Sequence, residues 1–376
     1  MVIETLNILF WILTIGYVYF LLDFKKGWDR LPIYKSSNST PYTHVTIVIA
    51  ARNEENNIGK TLDAIINQNY PKNLMEVIVI NDHSEDNTAK IVEQYFPFIT
   101  LINFLDPTTI NSYKKSAIAQ AIKNAKGEVI ITTDADCVMK ADWLRTMVDY
   151  YEQNSFKMIS GPVVYHQERT LFERLQSLEF LFLIGMGASR IGNKRPITCN
   201  GANLLYNKAT FNEVGGFAGI DNKASGDDEL LLHKVAKRYP NGIGFLKSID
   251  AIVYTNPVPT LLGFIAQRKR WASKSTSYKD KRIIFLGVWM WLFNLSLLLL
   301  FIITLLYGNF LSLFLAQIGL KIAAELYFYT QLAMFANRTK LLILTPLLSI
   351  LHVFYLIFIG IAGNIGKYEW KGRTVN

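Results

Sequence analysis

Long apolar runs near both ends set the limits on what this chain can fold into, because a stretch of about 20 apolar residues is long enough to cross a bilayer as a helix. The first run, Leu6 to Leu22, is followed at once by Asp23, Lys25, Lys26 and Arg30. No Lys or Arg precedes it and no small-residue cleavage site follows, so it reads as a retained signal anchor and not as a removable leader. Three more runs follow towards the C-terminus: Ile283 to Tyr307, Phe310 to Met334 and Leu341 to Gly363. Lys279, Lys281 and Arg282 precede the first of these, and Arg338 and Lys340 lie between the second and third. By the positive-inside rule these flanks, like the one after Leu22, mark cytoplasmic sides. The tail runs the other way: four crossings put Lys367, Lys371 and Arg373 outside, so a re-entrant or interfacial segment stays open as an alternative.

This pattern predicts an N-terminal transmembrane anchor over 1–24, a cytoplasmic domain with interfacial helices over 25–282 and a transmembrane region of about three helices over 283–376. Hydrophobic residues are 51% of the 376, and the middle carries most of the charge. The formal net charge of +9 is met by anionic headgroups beside the apolar runs, and no nucleic-acid partner is expected. The two cysteines, Cys137 and Cys199, form no CxxC pair, which removes a thiolate zinc site and a disulfide framework and suits a reducing cytosol.

The middle alternates between strand and helix periods. Val45 to Ala50 reads as a strand, Glu54 to Gln68 as a helix with Ile58, Leu62, Ile65 and Ile66 on one face, and Glu76 to Ile80 as a second strand. Ser84 to Tyr95 and Ser112 to Lys126 read as helices, the latter stopped by Gly127, and Glu128 to Thr133 as the next strand. Such units predict an α/β domain with a mostly parallel sheet, whose ligands bind at the carboxyl ends of the strands. Ala50 to Glu54, Asp82, and Asp134 with Asp136 all fall at such ends, and no GxGxxG follows the first strand, which argues against a dinucleotide fold. Ser36 to Pro41 reads as a linker.

Asp134 and Asp136 leave a buried strand as carboxylates on alternate residues, able to hold a hard divalent cation or meet a ribose; an acidic turn is the plain alternative. Ser225-Gly226-Asp227-Asp228-Glu229 precedes the apolar run Leu230, Leu231, Leu232 and Val235, so its acids either cap a helix or supply a general base. Gln267-Arg268-Lys269-Arg270-Trp271 suits a diphosphate leaving group, or a basic amphipathic segment on lipid. Leu171 to Met186 carries Leu171, Leu175, Leu178 and Phe182 on one face, with Glu173, Arg174, Gln176 and Glu179 mostly on another. Lys321 and Glu325, four apart in an apolar run, can neutralise each other or mark a polar path, and the structural pair is the favoured reading.

The succession Ala51-Arg52-Asn53-Glu54, Asp82, Lys115, Asp134/Asp136, Asn200-Gly201-Ala202-Asn203, Asp227-Asp228, then Gln267 to Trp271 resembles the inverting family-2 glycosyltransferases of GT-A fold. The likeness is to their membrane-integrated branch, with the cellulose, hyaluronan and poly-N-acetylglucosamine synthases, and it covers about Thr43 to Ser275. It implies a GT-A domain flanked by transmembrane helices. By that resemblance Arg52, Glu54 and Asp82 would surround the base and ribose of a nucleotide-sugar donor, UDP-linked, and Lys115 would approach its diphosphate. Asp134 would face the nucleotide, Asp136 would coordinate Mg²⁺ or Mn²⁺, Asp228 would be the base and Asp227 its supporting acid. Gln267, Arg270 and Trp271 match QxxRW, which closes over donor diphosphate and acceptor, while Asn200 and Gly201 would form an acceptor loop. It also tips the 171–186 helix towards the membrane interface.

The implied protein is a metal-dependent, inverting hexosyltransferase in the cell membrane. Its partners would be the donor, a lipid-linked or growing glycan acceptor, the bilayer and envelope-assembly proteins. Two alternatives remain: a processive polysaccharide synthase, and a catalytically silent scaffold subunit, against which the retained acids argue.

Overall fold

The computed structural model describes residues 2–37, 39–104, 112–221, 223, 225–274, 278, 280–363, 368–370 and 373–375. Lys279, Lys367 and Lys371, basic residues used above to orient the chain, lie outside the described residues. The chain opens with helix α1 (Val2–Asp29), then alternates β1 (Val45–Ala51), α2 (Ile58–Ile66), β2 (Met75–Asn81), α3 (Thr88–Glu93), β3 (Thr100–Asn103), α4 (Tyr113–Asn124) and β4 (Val129–Asp134). Next come β5 (Val138–Met139), α5 (Trp143–Glu152), β6 (Met158–Ser160), β7 (Val163–Tyr165), α6 (Leu171–Gly192), β8 (Leu204–Asn207), α7 (Lys208–Glu213) and α8 (Glu229–Arg238). Then come β9 (Ile243–Phe245), β10 (Val253–Thr255), α9 (Leu261–Ser273), α10 (Lys281–Tyr307), α11 (Leu311–Phe335) and α12 (Thr345–Ala362), and last the paired strands β11 (Tyr368–Trp370) and β12 (Arg373–Val375). These elements fold as two units: Trp28–Gln167 with Met186–Pro257, and Met1–Gly27 with Glu168–Gly185 and Val258–Tyr368.

The first unit is built on a sheet of order β3-β2-β1-β4-β8-β6-β9. Parallel pairing joins β3, β2, β1 and β4, and β6 with β9, whereas β8 is antiparallel to both its neighbours. The central strands are apolar at nearly every position, as expected where helices cover both faces, and Ile47, Ile49, Val79, Ile80, Ile130 and Ile131 have essentially no exposure. Register does the positioning: Ala51 pairs with Asn81, and Ala50 with Asp134, so the residues leaving β1, β2 and β4 emerge side by side. Because β8 runs backwards with Leu204 opposite Thr132, the segment entering β8 arrives at that same edge.

Two helices are shorter than their periodicity predicts. Residues 53–57 and 84–88 bind each other instead of extending α2 and α3: Asn53 N donates to Ser84 Oγ (3.0 Å), Glu85 N to Asn53 Oδ1 (2.9 Å), Glu55 N to Asp86 Oδ2 (3.0 Å) and Asn87 N to Glu55 Oε2 (3.1 Å). Short polar side chains have outcompeted the helical hydrogen bonds there. Gly127 is not a left-handed helix stop either. A Cβ on it would run into the backbone of Thr46, so glycine is needed where the chain enters β4 beside β1. The segment read as a linker is strapped down: Asp149 on α5 accepts from Tyr34 Oη, Ser36 Oγ, Ser37 N and Ser39 Oγ at 2.7–2.8 Å.

In the second unit, four helices among the described residues are long and apolar enough to cross a membrane: Leu6–Asp29, Lys281–Tyr307, Leu311–Phe335 and Thr339–Ala362, the last including the helical turn before α12. Lys321 and Glu325 meet as a buried ion pair on α11. Glu325 also accepts from Tyr17 of α1 and Ser349 of α12, so one carboxylate ties three helices together. Withdrawing both charges costs several kcal/mol unless they are paired, and here each is. α6 departs from its sequence pattern: Glu173, Gln176 and Glu179, predicted on a polar face, are buried, whereas Leu171 is 53% exposed.

Candidate functional site

The carboxyl edge of the first unit's sheet gathers acids from segments far apart in sequence. Asp134 ends β4, Asp136 follows in the turn to β5, and Asp227 and Asp228 precede α8. Lys114, on the first turn of α4, joins two of the segments: its Nζ lies 2.8 Å from Asp134 Oδ1 and 3.4 Å from Asp227 Oδ2. Burial alone would lower the Lys114 pKa, but Asp134 and Asp227 outweigh it and hold the ammonium above its usual value.

Asp228 is fixed by its own backbone surroundings. Its Oδ2 accepts from Gly201 N at 3.1 Å, and its Oδ1 from Glu229 N at 2.6 Å, in the manner of an N-cap. The bend that delivers it needs Gly226, whose φ is +86° and whose missing Cβ leaves room for Leu230. Gly201 is held from the other side, its carbonyl accepting from Thr132 Oγ1 at 2.8 Å, and a Cβ there would come within 3.4 Å of Asp227 Oδ2. Asn200 caps the following turn through its Oδ1, which accepts from Ala202 N.

Asp134, Asp136 and Cys137 offer ligand atoms within 4.8 Å of one another. The two carboxylates fit a hard divalent cation such as Mg²⁺ or Mn²⁺. Cys137 does not add to that fit, since burial, and then the negative Asp136 and Asp134, push its thiol well above the usual range and keep it protonated. Asp136 Oδ2 also accepts from Thr255 Oγ1 at 3.2 Å.

Along the same edge Asp82 is buried, with His83 Nδ1 2.9 Å from its Oδ1. The His83 ring stands edge-on to Phe104 and Tyr113. Arg52 turns inward and donates to the carbonyls of Asp82 (3.1 Å) and His83 (2.6 Å), while Glu54 accepts from Asn57 Nδ2 (3.0 Å). Both shape the two loops beside Asp82.

The two adjacent lysines differ from expectation. Lys115, expected at a diphosphate, is buried with its Nζ donating to the carbonyls of Ile220 (2.8 Å), Lys223 (2.6 Å) and Ser225 (2.7 Å). It anchors the segment that leads to Asp227. Lys114, which sequence reasoning passed over, is the one beside the acids. The helical period held the signal: Lys115 shares the buried stripe of Ile118 and Ile122 at i+3 and i+7. Gln267, Arg270 and Trp271 all lie on α9, in the second unit.

This sheet, with its single reversed strand and acids at the carboxyl edge, defines a GT-A-like glycosyltransferase fold. A solved mannosyltransferase, PcManGT from Pyrobaculum calidifontis in complex with GDP-Man and Mn²⁺, matches with a TM-score of 0.61 at 19% identity, over 94% of this chain and 99% of that one. Residues 46–224 match the family model Glycosyl transferase family 2. It is similar to poly-β-1,6-N-acetyl-D-glucosamine synthases of two staphylococci. The identity is 26% over 214 residues with that of Staphylococcus epidermidis, covering 55% of this chain and 49% of the relative. With that of Staphylococcus aureus it is 24% over 274 residues, covering 70% and 61%. The chain thus spans about half to three-fifths of the length of these relatives.

The two lysines should separate experimentally. Lys115→Met removes the buried donor to three carbonyls, that of Ser225 fully buried, and is expected to cost at least about 2 kcal/mol of stability, whereas Lys114→Met, whose partners reach solvent, should stay within about 1 kcal/mol. Thermal unfolding of the detergent-purified variants measures this, and equal losses would contradict the assignment of the two side chains.

Proposed function

We propose that the chain transfers a sugar from a UDP-linked donor to a lipid-linked or growing glycan acceptor, with inversion at the anomeric carbon, at the cytoplasmic face of the cell membrane. The observation that carries the reading is the meeting of Asp134, Asp227 and Asp228 around Lys114 at the sheet edge where open α/β folds bind ligands. In this reading Asp228, already oriented by Gly201 N–H, takes the proton of the acceptor hydroxyl as that oxygen attacks. Asp227 and Lys114 set the charge beside it. Arg52, Glu54 and Asp82 border the base and ribose.

Asp136, with Asp134, would hold Mg²⁺ or Mn²⁺, which when bound supplies positive charge to the diphosphate leaving group. By resemblance Gln267, Arg270 and Trp271 contact the donor diphosphate and acceptor, with Arg270 offsetting the leaving group's charge and Asn200 and Gly201 lining the acceptor side. Lys115 serves this site indirectly, through the loop it anchors. Repeated addition is the second reading, favoured by the likeness to polysaccharide synthases.

A donor screen that starts with UDP-N-acetylglucosamine tests the chemistry, with released nucleotide and product length as readouts. Asp228→Asn should lower turnover at least about 10²-fold while donor affinity stays within a few-fold, and Asp136→Asn or chelation of divalent metal should also abolish turnover. Full activity in chelator, or an unimpaired Asp228→Asn protein, would sink the assignment.

The cytoplasmic orientation follows from the basic flanks of the apolar helices. A cysteine introduced at Lys223 should react with an impermeant label in opened cells only; labelling of intact cells would reverse the orientation.

A further inference from the structure

Arg268 stands inside the QxxRW stretch at a position that the motif leaves unspecified, yet it is among the most buried side chains of the molecule, at 2% exposure. Its guanidinium meets Glu179 of α6 with two prongs, Nε to Oε1 at 3.3 Å and Nη2 to Oε2 at 2.7 Å. Its flat faces are used as well: Cζ lies 4.4 Å from the centre of the Phe264 ring and 4.2 Å from that of Trp271. The remaining edge, Nη1, donates to Gln267 Oε1. Phe180, next to Glu179, packs on Trp271 with ring centres 6.0 Å apart and planes 33° apart. All of these residues belong to the second unit.

An ion pair withdrawn from water gains little stability over well-packed apolar residues, so burying one here calls for another reason. The geometry supplies it. A planar fork is the side chain that can grip a carboxylate by two oxygens while presenting a face to an indole and a further N–H to an amide. We propose that Arg268, clamped by Glu179, is a positioning residue that sets the Trp271 ring and the Gln267 amide in their working orientations. This rests on the reading that Gln267 and Trp271 meet donor and acceptor. Glu179 of α6 is thus buried to hold the motif helix, while Gln176 bonds the backbone of Val258 ahead of that helix.

The test uses the full chain in detergent or nanodiscs. Arg268→Lys keeps the charge but loses the fork and the flat face, and the paired change Arg268→Met with Glu179→Leu removes both charges so that neither is left stranded. Acrylamide quenching of Trp271 is read without substrate, as the difference between each protein and its Trp271→Phe counterpart, and kcat and donor KM are then measured. Both variants should melt near the wild type, expose Trp271 to the quencher and lose at least about 10-fold in kcat, with donor KM changed less. Wild-type quenching and wild-type kcat in either folded variant would overturn the proposal. A changed quenching signal in a protein whose wild type transfers no sugar would uphold the clamp and refute the transferase reading, so the two failures are distinguishable.

Discussion

The contact on which the candidate site depends is the ammonium of Lys114 set between Asp134 and Asp227. Asp134 belongs to the end of a central strand and Asp227 to a loop 93 residues later, and carboxylates brought this close repel one another unless a cation or a shared proton intervenes. With Lys114 in place the negative charge gathered at this edge is offset by a fixed positive one. Much of the neighbouring architecture serves that meeting. Lys115 grips the loop before Asp227, Gly226 bends it, and Gly201 N–H holds the Asp228 carboxylate.

Buried cations recur through the molecule, and each is satisfied by a different device. Lys115 is surrounded by carbonyl oxygens, Arg268 by a carboxylate with two aromatic faces, and Lys321 by a glutamate one helical turn away. The common physics is that a charge taken from water needs replacement ligands of comparable strength, and the protein finds them in rigid backbone or in partners on well-packed helices. In the apolar helices the Glu325 carboxylate also binds Tyr17 and Ser349, so it fixes the helices against one another in surroundings where apolar contacts give little preference for one arrangement.

Much of the fold was legible because its signals are local and repetitive. The strands β1, β2 and β4 read as β-rich apolar runs, the four long apolar helices as continuous hydrophobic stretches, and the position of Asp134 and Asp136 as a strand end. What stayed hidden depends on partners distant in sequence. Nothing local says that Glu55 and Asp86 will lock two loops together and shorten two helices, or that Asp149 will collect the segment read as a linker. The inward turn of Glu179 was equally invisible, since an amphipathic pattern assumes that charge faces solvent, and the buried Arg268 reverses that assumption. The burial of Lys115 was readable in principle from the stripe of α4, but the family pattern drew attention to it and not to Lys114, whose ammonium lies beside Asp134 and Asp227.

The central claim is that the acids gathered at the sheet edge form the donor site. It is tested most directly by a structure of the protein with Mn²⁺ and a non-transferable UDP-sugar analogue, the metal located by its anomalous scattering. The account predicts the manganese signal at the Asp136 carboxylate with the diphosphate beside it, and the Asp228 carboxylate facing the anomeric carbon. A metal and diphosphate bound away from Asp134 and Asp136, with the nucleotide elsewhere on the domain, would contradict it.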